Sequence, residues 1–282
     1  MNREKLIEKI FFLTACSAIF SLALITIFIF KEGIAIFFKV GFVDFIFSPD
    51  WSPGQKQFGL LSMIMGSVWI TVGALFFGVP LGLSVSIFLA EFCPKKIASI
   101  LKPAIELLAG IPSVVYGFIG VVILAPLIRE YFGGPGLSVL AASIVLAVMI
   151  LPTVISISLD AIHAVPKSCL EGSLALGATR WQSVYMVIIP AAKSGIIASI
   201  ILGMGRAVGE TMAVIMVSGN AVRIPHSILE PVRTLTSNIA LELGYATGMH
   251  REALFGTGMV LFVIIMILNV TAYIFTKRKV RK

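Results

Sequence analysis

Long apolar runs alternate with shorter polar segments along the chain, and the runs are long enough to cross a lipid bilayer as helices. Because the hydrocarbon core of a bilayer is about 30 Å thick, a spanning helix needs about 20 mostly apolar residues. Five runs of this length carry no charge: residues 10–30, 61–90, 107–128, 132–159 and 253–276. A sixth run, residues 194–222, is charged only at Arg206 and Glu210. The pattern predicts an all-α fold, a polytopic transmembrane helical bundle of about six spans.

The composition also favours a bilayer over water as the main solvent. Of the 282 residues, 58% are hydrophobic and only 13% are charged, and the mean hydropathy is +1.03, which no ordinary soluble domain reaches. The first run follows basic residues, as in a signal peptide, but its apolar core is too long and no small-x-small cleavage pattern follows residue 30. We therefore expect the first run to remain as a helix.

The distribution of basic residues predicts the orientation, because Lys and Arg are retained in cytoplasmic segments. With six spans, fourteen basic residues fall on the side of the two termini and seven on the other side. Both termini are therefore predicted to be cytoplasmic, in a multi-pass protein of the cell's inner or plasma membrane. The formal net charge of +8 is spread over several loops and the tail, so nucleic-acid binding is not indicated.

Cysteine, histidine and glycine say less about the function than the apolar runs say about the fold. The cysteines Cys16, Cys93 and Cys169 form no Cys-x-x-Cys motif, and the three histidines are scattered, so neither a disulfide framework nor a metal site is predicted. Glycines four residues apart occur within two runs, at Gly78 and Gly82 and at Gly205 and Gly209. Such pairs favour close helix packing, with a gating hinge as the alternative.

The polar segment at residues 160–193, on the predicted cytoplasmic side, carries the most specific local pattern. A short helix is expected to stop at Gly177, and Thr179-x-x-Gln182 has the spacing of a capping box that opens a second helix. The apolar residues of this second helix are predicted to share one face: Trp181, Val184, Tyr185 and Ile188. The segment therefore predicts a surface helix-turn-helix whose apolar side chains fill a groove on a partner.

This segment resembles the cytoplasmic signature of the permeases of ABC importers. That signature is Glu-Ala-Ala, three residues, Gly, nine residues and Ile-x-Leu-Pro. The chain has Glu171-Gly-Ser, three residues, Gly177, nine residues and Val-Ile-Ile-Pro190, so the spacing, the Glu, the Gly and the Pro match, whereas two small residues replace the alanines. The resemblance implies that the segment docks into a cleft of an ATPase subunit, with coupling residues Glu171, Ala175, Gly177, Trp181 and Pro190. The phosphate-binding pattern Gly-x-x-x-x-Gly-Lys-Ser/Thr does not occur in the chain, so ATP hydrolysis is assigned to another polypeptide.

Arg206 and Glu210 are the charged residues of the sixth run. At a spacing of four they are expected on one helix face, near the middle of the bilayer. An intramembrane charge is costly and marks a transport pathway more often than not, and a guanidinium suits a tetrahedral oxyanion. Two interpretations stay open: the pair lines a pathway, with Glu210 holding the guanidinium when no anion is bound, or the two residues only neutralise each other.

Three further stretches resemble the permeases of phosphate importers of the PstC type. They are Gly-Met-Gly-Arg-Ala-Val-Gly-Glu-Thr-Met-Ala-Val at 203–214, Ile-Pro-Ser-Val-Val-Tyr-Gly-Phe at 111–118, and Trp-Ser-Pro-x-x-x-x-Phe-Gly at 51–59. Together with the cytoplasmic segment, the likeness covers nearly the whole chain. It implies that Arg206 and Glu210, and more weakly Ser113, line the substrate pathway.

The resemblance also implies an architecture and a set of partners. The fold would be that of an ABC importer type I permease, with a first transmembrane helix and outer loop at 1–60 and a permease core at 61–282 that includes the coupling loop at 160–193. The partners would be a sister permease, a cytosolic ATPase dimer, an extracytoplasmic phosphate-binding protein that docks on residues 31–60 and 218–253, phosphate and the lipid bilayer. The chain itself would bind no cofactor and catalyse no reaction, and ATP and magnesium would bind the partner ATPase.

Other functions are compatible with parts of the sequence. Within the ABC class, a permease for sulfate or molybdate is the nearest alternative, since one arginine does not distinguish oxyanions. A proton-coupled secondary anion carrier or channel accounts for Arg206 and Glu210 but not for the cytoplasmic segment. A membrane-embedded enzyme needs a nucleophile, a metal or a carboxylate cluster, and Glu106 alone near a helix start is better explained as a first-turn acid.

Overall fold

A computed structural model describes residues 2–280, with side chains described for residues 7–271, and it is helical almost throughout. Six helices are long and apolar enough to cross a membrane: Ile7–Val40, Leu61–Phe92, Ser113–Phe132, Val139–His163, Arg180–Gly209 and Gly248–Thr271. The predicted number of spans is therefore confirmed. Arg3 and Lys5 and the basic tail at 277–282, which enter the orientation prediction, lie outside the residues whose side chains are described.

The helices are as follows, in chain order. The first half of the chain contains α1 (Asn2–Val40), α2 (Phe42–Phe47), α3 (Leu61–Ile87, extended by a π-helical turn at Phe88–Phe92), α4 (Lys95–Ala109), α5 (Ser113–Ile119), a π-helical turn at Gly120–Leu124, and α6 (Ala125–Phe132). The second half contains α7 (Val139–His163), α8 (Lys167–Ala175), α9 (Arg180–Ser183), a π-helical turn at Val184–Ile188, α10 (Ile189–Gly209), α11 (Met212–Val217), α12 (Leu235–Glu242) and α13 (Gly248–Val280). A two-residue antiparallel hairpin pairs β1 (Trp51–Ser52) with β2 (Gln57–Phe58).

Helix α7 is the centre of the bundle, because it is the most buried of the six spans. Helix α3 runs parallel to it, and the glycine pair of α3 makes the approach close: a Cβ at Gly78 would lie 2.8 Å from Ile150, and one at Gly82 would lie 2.8 Å from Val154. For this pair, the packing interpretation is confirmed. Helix α10 runs antiparallel to α7 and contacts it through the Ser158 and Ser199 hydroxyls, which lie 2.7 Å apart.

The first helix is longer than the apolar run that predicted it. The expected outer loop at 31–60 begins only after Val40, because residues 31–40 continue α1 and pack on α13. Gly33 lies against the backbone of Phe255, and Lys39 forms an ion pair with Glu252 at 2.6 Å. The polar residues of this stretch therefore bind the neighbouring helix instead of ending α1.

Two other predicted boundaries were wrong for local reasons. The fourth apolar run starts at residue 132, seven residues before the helix α7 that it predicts, which begins at Val139. The reason is a turn between the two, in which Gly133, Gly134 and Gly136 all have positive φ. The third run, 107–128, is not one continuous helix, because Gly110–Pro112 separates α4 from α5. A hydrophobicity pattern records neither interruption, since the residues on both sides are apolar.

The bundle has two ends: the hairpin end carries β1, β2 and α12, and the coupling end carries α8 and α9.

Candidate functional site

Two breaks in the helical backbone border the candidate spans: the first directly precedes Ser113–Phe132, and the second directly follows Arg180–Gly209. In the first, α4 ends at Ala109 and α5 starts at Ser113, because Pro112 has no N–H to continue the helix and disfavours helical geometry at the residue before it. In the second, α10 ends at Gly209, Glu210 is extended with φ −70° and ψ 132°, and α11 starts at Met212. Non-helical backbone within the hydrocarbon region of a bilayer is tolerated only where it is buried in protein or lines a water-filled cavity.

The helices beyond the two interruptions pack directly on each other. A Cβ at Gly117 would lie 3.0 Å from the Ala213 Cα and 2.8 Å from the Met216 Sδ, and a Cβ at Gly120 would lie 2.6 Å from the Val217 side chain. A side chain at either position would therefore require neighbouring atoms to shift, those of α11 among them. The chain therefore brings α5 and α11, and with them the two interruptions, side by side.

Arg206 lies in the last turn of α10, next to the second interruption. Gly203, one turn earlier, lies against Val154 and Ile150, so this part of α10 is level with the midpoint of α7. Arg206 is half-buried, and within the described residues it forms no hydrogen bond and no ion pair. The adjacent face of α10 is open, because a Cβ at Gly205 or Gly209 would meet nothing within 4 Å. No described residue of this chain packs on the second glycine pair, so its packing interpretation stays a prediction.

Glu210 does not share a helix face with Arg206, and this prediction was wrong. The helix ends one residue before Glu210, so the spacing of four no longer places the two side chains one above the other. Instead, the Ala213 backbone N–H donates to Glu210 Oε1 at 3.2 Å, and the Thr236 hydroxyl donates to the Glu210 carbonyl at 3.0 Å. Glu210 thus caps α11 and joins it to α12.

The third predicted pathway residue, Ser113, opens α5 and is half-buried. One turn further, Tyr116 spans the first interruption, since its hydroxyl donates to the Leu108 carbonyl at 2.8 Å. Tyr116 also lies within electrostatic range of the Arg206 guanidinium. Sequence reasoning did not single out Tyr116, although the motif at 111–118 contains it and Pro112 marked the break that it spans.

The coupling end has the predicted helix-turn-helix. Helix α8 ends in a Schellman motif: Gly177 has φ +86°, its N–H donates to the Leu174 carbonyl, and the Ala178 N–H donates to the Ser173 carbonyl. The capping box of α9 is formed in both directions, between Thr179 and Gln182. The turn and the second helix start were therefore both predicted correctly.

The shared apolar face predicted for this second helix was wrong. Trp181 and Tyr185 are 60% and 64% exposed, whereas Val184 and Ile188 are buried at 1% and 3%. The π-helical turn at Val184–Ile188 changes the helical spacing, so residues expected on one face separate. All five predicted coupling residues are exposed: Glu171, Ala175, Gly177, Trp181 and Pro190.

At the hairpin end, a buried carboxylate joins the distant residue Trp51 to two residues that are nearer in sequence, Arg233 and His250. Glu242 of α12 accepts hydrogen bonds from the Trp51 indole at 2.9 Å and from Arg233 at 2.6 Å, and the His250 ring nitrogen lies 2.8 Å from it. The nearby Glu230 does not take part, and it faces Arg223 at 3.9 Å. Only the tertiary fold brings these partners together.

Comparisons with known proteins agree with this architecture. Residues 78–281 match the family of binding-protein-dependent transport system inner membrane components. A probable ABC transporter permease protein, YqgH of Bacillus subtilis, is 42% identical over 95% of this chain and 90% of its own length. A phosphate transport system permease protein, PstC of Xylella fastidiosa, is 35% identical over 85% of this chain and 80% of its own length.

Solved structures with low sequence identity show the same fold. A permease chain of a bacterial ABC transporter for the import of alginate superposes with a TM-score of 0.65 and 18% identity, over 95% of this chain and 96% of that chain. A chain of the inward-facing MetNI methionine ABC transporter superposes with a TM-score of 0.64 and 19% identity, over 82% of this chain and 99% of that chain. The ABC importer type I permease fold is therefore confirmed. The chain belongs to the binding-protein-dependent transport system inner membrane component family, and so it is a multi-pass permease subunit of an ABC transporter, in which ATP is hydrolysed by a separate subunit.

Proposed function

We propose that this chain is a permease subunit of an ATP-driven importer for inorganic phosphate and forms the translocation pathway together with a sister permease. The observation that carries the proposal is Arg206, a half-buried residue on the part of α10 that is level with the midpoint of α7, with an open face of α10 beside it. An arginine at the centre of a spanning helix costs about 2.5 to 3.5 kcal/mol on insertion scales. A passing oxyanion provides the charge that offsets this cost.

The chemistry of the site favours a tetrahedral oxyanion. A guanidinium presents paired N–H donors in a plane, which matches two oxygens of a phosphate-like ion. Interrupted helices near the bilayer midplane are also typical of transporter substrate sites. The relatives named as phosphate transport permeases support phosphate among the oxyanions. Arg206 is assigned to bind the anion, and Ser113 to line the pathway beside it.

The coupling end carries the surface assigned to the ATPase dimer. Leu176 is 91% exposed at the α8–α9 turn, and the rigid Gly177 turn presents it beside Trp181. Exposed apolar side chains on a fixed turn suit a groove on a partner. ATP and magnesium bind that partner, and this chain holds no cofactor of its own. The coupling end and both termini are accordingly cytoplasmic.

The remaining partners are assigned to two other surfaces. The open α10 face, with Gly205 and Gly209, is where the sister permease closes the pathway. An extracytoplasmic phosphate-binding protein docks on residues 41–60 and 218–253 at the hairpin end. The network around Glu242 holds these two segments together, so it keeps the docking surface in one shape.

The test is phosphate uptake into vesicles that hold the complete transporter. Arg206→Gln should abolish uptake while the complex still assembles, and Arg206→Lys should restore little, because a compact ammonium lacks the paired planar donors. Arg129→Gln, at the hairpin end of the same bundle, is the matched control and should leave uptake unchanged. Wild-type uptake by Arg206→Gln would refute the assignment.

The same vesicles distinguish the oxyanions. The proposal predicts that ATP-dependent accumulation occurs with labelled phosphate and not with labelled sulfate or molybdate. ATP-independent accumulation would instead favour a secondary carrier.

A further inference from the structure

The Tyr116 hydroxyl forms a hydrogen bond across the first helix interruption. In a continuous helix, the Leu108 carbonyl would accept from the N–H of residue 112, but residue 112 is a proline and has none. The carbonyl instead receives the Tyr116 hydroxyl at 2.8 Å and a long contact of 3.3 Å from the Ile111 N–H. Tyr116 therefore joins the end of α4 to the first turn of α5.

The same residue borders the proposed anion site. Tyr116 is half-buried and packs against the central apolar cluster that includes Ala207 and Ala213, the residues on either side of the second interruption. Its neighbour Gly117 touches Ala213, and the Arg206 charge acts on the phenol. Tyr116 thus donates to a carbonyl at the first interruption and packs beside the second interruption, next to which Arg206 lies.

We propose that the Tyr116 hydroxyl is a switchable substrate contact: without an anion it donates to the Leu108 carbonyl, and with an anion at Arg206 it donates to an anion oxygen. This inference rests on the proposed function, because it requires an anion at Arg206. It adds a substrate-contacting residue and connects occupancy of the site to the geometry of the α4–α5 interruption.

The direction of the switch follows from hydrogen-bond strength. A hydroxyl bound to a neutral carbonyl makes a weaker hydrogen bond than one bound to an ionised oxygen, by roughly a factor of two. An anion on the guanidinium therefore attracts the hydroxyl away from Leu108. The Leu108 carbonyl then keeps backbone contacts within the end of α4, such as the long one from the Ile111 N–H, so the hydrogen bond that joins α4 to α5 is released while the anion is bound.

The first experiment uses the complete transporter in lipid vesicles, with Tyr116→Phe as the variant. Loss of a hydrogen bond to an ionised oxygen predicts that uptake at saturating phosphate-loaded binding protein falls by about tenfold or more. The concentration of loaded binding protein that gives half-maximal uptake should not change, and neither should ATP hydrolysis without binding protein. Tyr131→Phe, at the exposed hairpin end of the same span, is the control and should behave as wild type.

The outcomes separate this inference from the function on which it rests. If Arg206→Gln loses uptake and Tyr116→Phe does not, the inference fails and the proposed function stands. If Arg206→Gln transports normally, both fail. If Tyr116→Phe loses uptake and basal ATP hydrolysis equally, Tyr116 is only structural and the inference fails.

A second measurement keeps the hydroxyl in place. With 3-fluorotyrosine at position 116 of the solubilised complex, inorganic phosphate alone should shift the fluorine resonance, whereas chloride at equal ionic strength should not. The shift should disappear in Arg206→Gln. A resonance that does not respond to phosphate overturns the inference.

Discussion

At the scale of single residues, the proposed function depends on Arg206, which forms no hydrogen bond or ion pair with the described part of the chain. The spacing of Arg206 and Glu210 suggests mutual neutralisation. However, α10 ends between them, so the Glu210 carboxylate and the Arg206 guanidinium lie in separate environments. Glu210 is held by backbone groups of α11 and by Thr236, while Arg206 remains available. The self-neutralised pair is therefore excluded as a description of this structure.

Loss of the Glu210 charge should be tolerated better than loss of the side-chain oxygen that accepts from the Ala213 N–H. Glu210→Gln keeps an acceptor for the Ala213 N–H and should reduce uptake less than Arg206→Gln does. Glu210→Ala removes the cap and should lower the free energy of unfolding by about 1 kcal/mol. Thermal unfolding in detergent and vesicle uptake measure the two effects. If Glu210→Gln were as damaging as Arg206→Gln, the carboxylate charge itself would take part in transport.

At the scale of elements, the short turn between α8 and α9 determines the geometry of the segment that precedes the long helix α10. The α8–α9 unit is rigid because its first helix ends in a Schellman motif and its second begins with a full capping box. Its direction is fixed at Gly177, whose φ of +86° is unfavourable for residues with a side chain. The buried residues Val184 and Ile188 join this unit to the start of α10, so we expect a movement applied to the unit by a partner to reach α10.

Substitution at Gly177 should uncouple ATP hydrolysis from transport. In Gly177→Val, a β-branched residue is forced into the left-handed region, so the turn changes shape while the spans stay inserted. We expect phosphate uptake per ATP hydrolysed to fall severalfold, measured in vesicles with the full complex. Gly172→Ala, within α8 and with open space around its Cα, is the control, and it should stabilise the helix by about 1 kcal/mol without loss of uptake. Normal coupling in Gly177→Val would contradict the role of the turn.

At the scale of the whole molecule, long-range contacts hold the two ends in defined shapes around α7. The hairpin end depends on one buried carboxylate, since the Glu242 side chain is only 9% exposed and binds Arg233, His250 and Trp51. By contrast, the Lys39–Glu252 pair lies at the surface of the same end, with 49% and 26% of its side chains exposed. These two ion pairs give a direct comparison of buried and exposed charge.

Removal of the Glu242 charge should destabilise the protein much more than removal of the Glu252 charge. Glu242→Gln leaves the Arg233 guanidinium buried without its counter-charge, so the free energy of unfolding should fall by about 3 kcal/mol or more. Glu252→Gln should cost less than about 1 kcal/mol, because exposed pairs contribute little. Denaturation of the purified protein in detergent provides both values. Equal effects would mean that the Glu242 network does not hold the hairpin end.

Topology is the other prediction at this scale. The excess of basic residues predicts that both termini and the coupling end are cytoplasmic. A reporter that is active only outside the cytoplasm should be inactive when fused after residue 282 and active when fused after residue 54, in the hairpin. The reverse pattern would invert every surface assignment made above.

Much of the architecture follows from local sequence. The six spans come from the length and polarity of the apolar runs, because a bilayer imposes the same requirement on each segment independently of its neighbours. The capping box at Thr179 and the turn at Gly177 were also predictable, since caps depend on residues within one or two turns. The division into residues 1–60 and 61–282 stays a prediction.

The sequence by itself thus determined the class of the protein, the number of spans and the turn at Gly177, and it singled out Arg206 as a charge within an apolar run. Only the tertiary structure decided that Arg206 has no ion-pair partner among the described residues, that Tyr116 reaches Leu108 across a proline break, and that Glu242 joins Trp51 to Arg233. The physical reason is range: spans and caps are set by nearby residues, whereas the partner of a charge depends on which helices pack together. Here the glycine contacts of α5 with α11 and of α3 with α7 determine that packing.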